Sequence, residues 1–268
     1  MKTVKKILKE HIDYRKQIFK LAKSDIIKTY KGAALGWAWA IIRPAITIFV
    51  FWFAFSIGLR HGNPVEGYPF FLWLIAGMIP WFYMRDMISG GASSMRRYKY
   101  LITKIKYPIC TIPTFVSMSF FVVHLALMVI VFAIFAGFGY LPDIYTLQLP
   151  FYMLMMFLFF TAWGLFSGVL GAMSRDFLNL VKALTTALFW LSGILYDANS
   201  IDQTWIKNIL LFNPITLVAN GYRNCFIYKQ WFWENPQELI NFGIVYLVMC
   251  ILAVWAYRRL RKDIPDVL

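Results

Sequence analysis

The sequence predicts an all-α polytopic membrane protein, and three observations support this: the composition, the long apolar runs and the placement of charge. Of the 268 residues, 60% are hydrophobic and only 15% are charged, which is typical of a chain embedded in lipid. The 27 Lys and Arg residues gather at the ends of the apolar runs. Membrane topology therefore explains the net charge of +14 without nucleic acid as a partner.

Six apolar stretches predict the transmembrane helices of one domain, residues 32–268. Their approximate bounds are 36–59, 69–88, 114–138, 150–173, 177–196 and 239–257. In this layout 23 of the 27 basic residues fall on one side of the membrane. Loops rich in Lys and Arg stay on the cytoplasmic side. We therefore expect six spans with both termini in the cytoplasm.

Residues 1–31 predict an amphipathic helix that lies in the inner membrane interface. They contain ten basic residues and three acids, Glu10, Asp13 and Asp25, while apolar residues recur at close to helical spacing. No run here is long enough to span a bilayer, and no signal-peptide pattern is present. The alternative is a solvated basic tail.

A basic segment, residues 95–113, joins the second and third spans and contains no acid. Its apolar residues fall three or four apart, at Tyr98, Leu101, Ile102 and Ile105. This spacing predicts a short helix with one apolar stripe, which Pro108 and Pro113 limit. Such a segment can dock a soluble partner, or it can simply set the topology and contact anionic lipid.

The connection between the fifth and sixth spans, residues 197–238, is long and has an apolar middle. Asn213-Pro214 and Asn220-Gly221 interrupt it, so its apolar pieces are too short to cross a bilayer. One interpretation is a re-entrant pair of helices at the outer face, shielded by protein. The other is a pair of flat surface helices anchored by Trp205, Trp231 and Trp233.

Motifs for catalysis and for nucleotide binding are missing from the sequence. It has no Gly-x-x-x-x-Gly-Lys-Ser/Thr loop and no His-Glu-x-x-His. No acid lies at the centre of a span, which argues against ion-coupled transport. His124 lies within the third span, where we expect it to pack through a hydrogen bond. The abundant residues are aromatic, with 25 Phe, 15 Tyr and 11 Trp, which can form lipid-facing belts or stack on sugar rings.

Five motifs, in order along the whole chain, carry a resemblance to a known family. They are Leu35-Gly36-x-x-Trp39 with Pro44, Ala76-Gly77-x-x-Pro80-Trp81-x-Tyr83, Lys104-x-x-Tyr107-Pro108 with Ile112-Pro113, Arg175-Asp176, and Asn213-Pro214 with Gly221-Tyr222-Arg223. The chain resembles the permease subunit of ABC-2 type exporters of lipid-linked cell-envelope polysaccharides, which include the O-antigen and wall teichoic acid exporters. Tyr83 stands where the family commonly has Phe. The stretches PVEGYPFFLWLIAG and GYRNCF are most similar to the teichoic acid branch.

The resemblance implies a homodimer in the cytoplasmic (inner) membrane of a bacterium, assembled with two copies of a cytoplasmic ATPase that binds ATP and Mg²⁺. This chain would hold no cofactor and would contact membrane lipids. Its basic segment would be the coupling helix seated in the ATPase. The implied coupling residues are Arg96, Arg97, Lys99, Tyr100, Lys104, Lys106, Tyr107 and Pro108, with Arg175 and Asp176 in the next inner loop.

The implied substrate is a polymer on an undecaprenyl pyrophosphate-type carrier. Its sugar chain would thread a pore between the two copies while the carrier lipid emerges sideways. Candidate residues along this path are Trp37, Trp39, Arg43, Trp52, Phe55, Trp81, Tyr83 and Arg85. From charge and depth, Arg43 and Arg85 are candidates for meeting the pyrophosphate. Arg43 can instead snorkel to lipid phosphate or pair with Asp86.

Two other functions fit part of the pattern. One is an ABC-2 exporter of a small lipid or drug. The other is a polytopic glycosyltransferase or lipid-phosphate enzyme, which needs acids or metal ligands at the membrane surface. Asp143, Asp197 and Asp202 are too scattered in the sequence to form such a site.

Overall fold

The computed structural model describes residues 2–58, 64–105, 107–197 and 202–268, and the regular structure in these ranges is helical apart from one isolated bridge between Val65 and Tyr68. The α-helices are α1 Lys2–Asp13, α2 Arg15–Tyr30, α3 Trp39–Phe53, α4 Phe70–Arg97, α5 Lys99–Thr103, α6 Ile112–Gly137, α7 Leu149–Met173, α8 Arg175–Leu191, α9 Thr204–Leu211, α10 Pro214–Arg223, α11 Pro236–Leu260 and α12 Ile264–Val267. Short turns of 3₁₀ or π-helix extend α3, α6, α7 and α10.

Within the described ranges, four helical segments are long and apolar enough to cross a bilayer. They are Gly36–Gly58, Ile109–Gly137, Ile144–Met173 and Pro236–Leu260, which correspond to the first, third, fourth and sixth predicted spans. The second and fifth predicted spans are also helical, as α4 and α8. Arg85 and Asp86 interrupt the apolar run of α4, while α8 has only 17 residues and carries Lys182.

Helix α4 is the centre of the bundle, and 21 of its 28 residues are buried. It packs most extensively against α7, and also against α6, α10, α8 and α3. Small residues bring the α4 and α7 backbones together, because a Cβ atom at Gly171 would lie 2.2 Å from the Ala92 carbonyl oxygen. A Cβ at Gly168 would lie 3.1 Å from the Gly91 oxygen. Glycine at such positions lets membrane helices approach closely.

The N-terminal region forms two helices that meet at Tyr14, rather than one continuous helix. Helix α2 packs against α6, and its buried face carries Ile18, Ala22 and Ile26. Helix α1 packs beside the start of the α6 segment and against α11. Its apolar residues Val4, Leu8 and Ile12 remain exposed on one stripe, as expected for a helix at a membrane interface.

Asp25 fixes α2 to the rest of the bundle. It lies on the buried face of α2 and is only 3% exposed. Its two carboxylate oxygens accept hydrogen bonds from the Tyr98 hydroxyl, just after α4, and from Ser119 of α6. The Arg97 guanidinium lies 4.0 Å away. A buried carboxylate needs hydrogen-bond donors or a nearby cation. Asp25 therefore fixes α2 relative to α6 and to the end of α4.

The N-terminal helices, α5 and the C-terminus lie at one end of the bundle, which we call the basic end. Helix α12 contacts both α5 and α7, and Ile264 within it is fully buried. Glu10 of α1 accepts a hydrogen bond at 2.9 Å from Cys110, which lies within the basic segment just before α6. Both chain ends therefore lie on the same side as α5.

Helices α9 and α10 differ in burial. Trp205 and Ile209 of α9 are 66% and 61% exposed, whereas nine of the ten α10 residues are buried against α4 and α7. Asn213 caps α10 by accepting from the Ile215 amide at 2.9 Å, and it donates to Ser192 at 2.8 Å. In this connection, α9 has the exposure of a surface helix and α10 that of a protein-shielded one.

We predict that Asp25→Ala destabilises the protein by about 1–3 kcal/mol, because Tyr98 and Ser119 lose a buried acceptor. The melting temperature of the purified protein in detergent should fall, and proteolysis between α2 and α3 should accelerate. Asp13→Ala is the matched control, since Asp13 is exposed at the end of α1. Equal melting temperatures for the two variants would contradict the anchoring role of Asp25.

Candidate functional site

A cavity of about 300 Å³ opens near the basic end, between α2, α3, α4 and α6. Three arginines line it: Arg43 from α3, with Arg85 and Arg97 from α4. The two arginines that the sequence analysis associated with pyrophosphate thus share one cavity. We call this site the arginine pocket. Its other lining residues include Tyr30, Trp39, Phe82, Asp86 and Ser119.

Arg43 lies on the exposed side of α3, near the start of the helix. Its guanidinium carbon is 5.4 Å from the centroid of the Trp39 ring, within cation–π range. Among the described residues, it makes no ion pair. The next residue, Pro44, lies inside the helix and donates no backbone hydrogen bond. Arg43 therefore presents a charge without an ion-pair partner among the described residues, although the Asp86 carboxylate is near enough to interact with it electrostatically.

The other two arginines of the pocket have acidic neighbours. Arg85 donates to one oxygen of Asp86 from Nε at 2.9 Å and from Nη2 at 2.8 Å. Arg97 has Asp25 at 4.0 Å. Three guanidinium groups thus face two carboxylates, and the excess positive charge favours an anion.

Tyr30 at the end of α2 adds a hydrogen-bond donor to the pocket. Burial raises the pKa of the Tyr30 phenol, and the neighbouring Asp86 carboxylate raises it further, while Arg43 lowers it. The phenol therefore keeps its proton at neutral pH. Its ring stacks on Trp37, with 5.1 Å between centroids.

The structure separates the aromatic residues predicted to line the substrate path into two groups. Trp37 is 52% exposed, and Trp39, Trp52 and Phe55 are partly exposed along α3. By contrast, Trp81 and Tyr83 of α4 are buried in the core. The Tyr83 hydroxyl shares a 2.7 Å hydrogen bond with Ser117. In this conformation Trp81 and Tyr83 therefore pack inside the protein core.

The predicted coupling residues also divide into anchored and exposed groups. Arg96 donates to the Gly171 and Ala172 carbonyl oxygens at 2.6 Å and 2.7 Å, so it caps the end of α7. Tyr107 is buried and its ring packs nearly perpendicular to that of Tyr14, and Pro108 next to it is partly exposed. Lys106 lies outside the described residues.

Helix α5 is short, as predicted, and it presents a polar face. Lys99, Tyr100 and Lys104 are exposed, whereas Ile102 is only 4% exposed and packs inward. Ile105, expected on the buried stripe, is 54% exposed because α5 ends before it. Arg175 and Asp176 are exposed at the start of α8, which follows α7 at the same end of the bundle.

The predicted outer residues hold α10 in place. Arg223 is fully buried and donates to the Gly193 and Ile194 carbonyl oxygens at 2.8 Å and 2.5 Å. Its guanidinium also lies 3.6 Å from the Trp73 ring centroid. Asn213 and Pro214 start α10, and the Tyr222 hydroxyl bonds His124 at 2.7 Å. A Cβ atom at Gly221 would lie 2.2 Å from Tyr152, so this position needs glycine.

Asp25 and Tyr30 are anchor and pocket residues that sequence reasoning missed, and Arg97, predicted as a coupling residue, is exposed at the end of α4 and lines the pocket. Sequence reasoning counted Asp25 only as one of three acids in a basic segment. A usable signal was present, since Asp25 lies beside Ile26 and one turn from Ala22, on the apolar face of α2. An acid on that face needs a partner inside the protein.

Comparison with known proteins places the chain in a family. The model of the ABC-2 type transporter family matches residues 16–227. The chain is 25% identical over 265 residues to the O-antigen export system permease protein RfbA of Myxococcus xanthus, covering 97% of this chain and 98% of that protein. It is 21% identical over 251 residues to a protein of the same description from Klebsiella pneumoniae, covering 92% and 93%.

The family match spans α2 to the end of α10, which includes the arginine pocket, α5 and the buried outer helix. Its relatives are permeases of export systems, and this agrees with a transporter subunit rather than an enzyme. The chain belongs to the ABC-2 type transporter family and is a membrane subunit of such a transporter.

Proposed function

We propose that this protein is the membrane subunit of an exporter that moves a lipid-linked cell-envelope polysaccharide across the cytoplasmic membrane. The observation that carries the proposal is the arginine pocket, where the exposed guanidinium of Arg43, which makes no ion pair among the described residues, lies beside those of two other arginines. The two relatives named above are described as O-antigen export permeases. A polymer attached to an undecaprenyl diphosphate-type carrier has the anionic group that this pocket suits.

The diphosphate would bind between α3 and α4. Arg43 would supply the free charge and a planar pair of donors, which match phosphate oxygens bidentately. Arg85 would contribute from across the pocket, and Tyr30 would donate a hydrogen bond. The polymer can be of the teichoic acid or the O-antigen type, since both present the same carrier group. An ABC-2 exporter of a small lipid or drug remains the alternative.

A homodimer accounts for the faces that one copy leaves uncovered. Helix α8 exposes Asn179, Lys182 and Thr186 at helical spacing. Polar and charged side chains within a bilayer are costly when they face lipid. A second copy opposite α8 would enclose these residues in a hydrated pore, through which the sugar chain passes.

The proposed topology has six spans, with the basic end and both termini in the cytoplasm. Helices α4 and α8 complete the six: α4 tolerates polar residues because protein surrounds it, and α8 because its polar stripe faces the pore. The pair α9 and α10 would enter from the outer face and return, with α10 shielded by α4 and α7. Charge supports this orientation, since most basic residues lie at the basic end.

Coupling to ATP hydrolysis would occur through two copies of a separate cytoplasmic ATPase, which holds ATP and Mg²⁺. The exposed face of α5 would contact it through Lys99, Tyr100 and Lys104. Arg175 and Asp176 lie at the same end and would contribute to that surface. Arg96 would act indirectly, because its bonds to the end of α7 position α5.

We predict that Arg43→Gln depresses substrate-stimulated ATP hydrolysis and polymer export, because it removes the free charge of the pocket. Arg43→Lys should restore part of both activities, since Lys keeps the charge without the bidentate geometry. The measurement is ATP hydrolysis by the purified complex in vesicles, with and without the lipid-linked polymer.

Lys23→Gln is the matched control for this series, because Lys23 is exposed on α2 and lies outside the pocket. It should retain the parental activities. Parental export by Arg43→Gln, at equal protein in the membrane, would mean that Arg43 only snorkels to lipid phosphate.

The coupling surface is tested by reversing charge at two exposed positions, Lys99→Glu with Lys104→Glu. We expect weaker assembly with the ATPase, or hydrolysis that no longer drives export, because the polar face of α5 changes sign. Co-purification and ATP hydrolysis report the two effects. Lys207→Glu on α9 is the control at the far end, and normal assembly and export by the double variant would refute the assignment.

The proposed topology is tested with single cysteines in a variant without native cysteines. Cysteine at Glu66 or Gln203, both exposed away from the basic end, should react with a membrane-impermeant maleimide added to intact cells. Cysteine at Thr103 on exposed α5 should react only after the cells are opened. Reaction at Thr103 in intact cells would reverse the orientation.

A further inference from the structure

Three cavities follow one another along the seam between α3 and the helices α4 and α6. The arginine pocket shares Pro44 and Leu127 with a second cavity of about 170 Å³. The second shares Phe49 and Phe71 with a third of about 690 Å³, which lies toward the end of α3 away from the basic end. Together they form a crevice along α3, which we call the α3 crevice.

The chemistry of the α3 crevice changes along its length. The arginine pocket is cationic. Every residue that lines the second cavity is apolar, and examples are Ala45 and Ile48 of α3 with Ile130 of α6. The third cavity is lined largely by aromatic residues, including Trp52, Phe71 and Phe138. This sequence of surfaces matches an anionic head followed by a long hydrocarbon chain.

Helix α3 is well suited to form one wall of such a site. It packs mainly against α4, and its candidate span is only 11% buried. Pro44 lies where the first and second cavities meet, and Pro removes a helical hydrogen bond. The α3 wall is therefore held by few contacts with the bundle.

The length of the α3 crevice distinguishes between classes of lipid. From Arg43 to Ser56, both of which line it, α3 and the π-helical turn that extends it rise about 20 Å at ~1.5 Å per residue. Half of the hydrocarbon core of a bilayer is about 15 Å thick. The acyl chains of one leaflet end on average near the midplane, whereas the α3 crevice continues about 5 Å beyond that distance, and a polyisoprenyl chain is long enough to follow it to the far cavity.

We propose that the α3 crevice binds the polyisoprenyl chain of the carrier lipid within a single subunit, with its diphosphate in the arginine pocket. The inference rests on the proposed function, and it adds the site of the hydrocarbon chain. The carrier is held beside α3, and the polymer can enter the pore between the two copies without drawing the chain in with it.

The test is photo-crosslinking at two neighbouring positions of α6. A diazirine-bearing aliphatic amino acid about the size of leucine replaces Ile130, which lines the second cavity, or Val129, which is 70% exposed and lines none of these three cavities. Each full-length variant is assembled with the ATPase in phosphatidylglycerol nanodiscs that contain radiolabelled undecaprenyl diphosphate. We expect strong labelling at position 130, which unlabelled carrier suppresses, and weak labelling at 129, which it does not.

A second pair of variants fills the crevice. Ala45→Trp should reduce the labelling at position 130 about tenfold, because the indole occupies the second cavity; this corresponds to ~1.4 kcal/mol of binding free energy. Ile46→Trp is the control, since Ile46 is 55% exposed and lies outside the cavity. Equal, non-competable labelling at 129 and 130 would show that only bulk lipid occupies the crevice and would overturn the inference.

Polymer export by the same preparations separates the two proposals. Export without competable labelling at position 130 overturns the α3 crevice as the carrier site and leaves the proposed function intact. If the unsubstituted complex neither exports the polymer nor hydrolyses ATP faster when the carrier is added, the proposed function itself is overturned.

Discussion

The close contact between α4 and α7 is the constraint on which the rest of the structure depends. Backbone meets backbone there, because Gly164, Gly168 and Gly171 carry no side chain that would separate the helices. In a membrane, helices associate through such packing rather than through the hydrophobic effect. The contact fixes where α4 ends, and Arg96 then reaches the last carbonyls of α7. The position of α5, and of an ATPase that would dock on it, therefore depends on the glycines of α7.

Two buried charges secure opposite ends of this core. Asp25 joins α2 to α6 and to the end of α4, and Arg223 joins α10 to the turn after α8. Each is costly to bury and is stabilised only by specific partners. Arg43 differs from both, since it is exposed and has no ion pair among the described residues. This contrast is the reason why we propose a binding site, rather than another packing contact, at the arginine pocket.

The sequence predicted the helical class, the six helical stretches and the short basic helix, because apolar runs and charge placement are local properties. Arg43 and Arg85 could be selected by their charge and depth. The sequence could not predict that Arg43 and Arg85 lie in one pocket with Tyr30 and Arg97, since this depends on how α2 packs on α6. Burial of Arg223 and of Tyr83 was equally invisible, because it depends on Trp73 and Ser117, which are distant in the sequence. Neither Pro nor Gly marks the break between α1 and α2 at Tyr14, so the sequence did not indicate that the helix is interrupted there.

The central proposal is that this subunit, together with an ATPase, moves a lipid-linked polysaccharide across the membrane. The most direct measurement uses sealed vesicles that contain the purified complex, with the ATPase side outward and the lipid-linked polymer in the outer leaflet. A glycosidase enclosed in the lumen reports arrival of the sugar chain. We predict polymer cleavage that requires ATP and Mg²⁺. Intact polymer, together with ATP-driven movement of a small lipid or drug in the same vesicles, would contradict it.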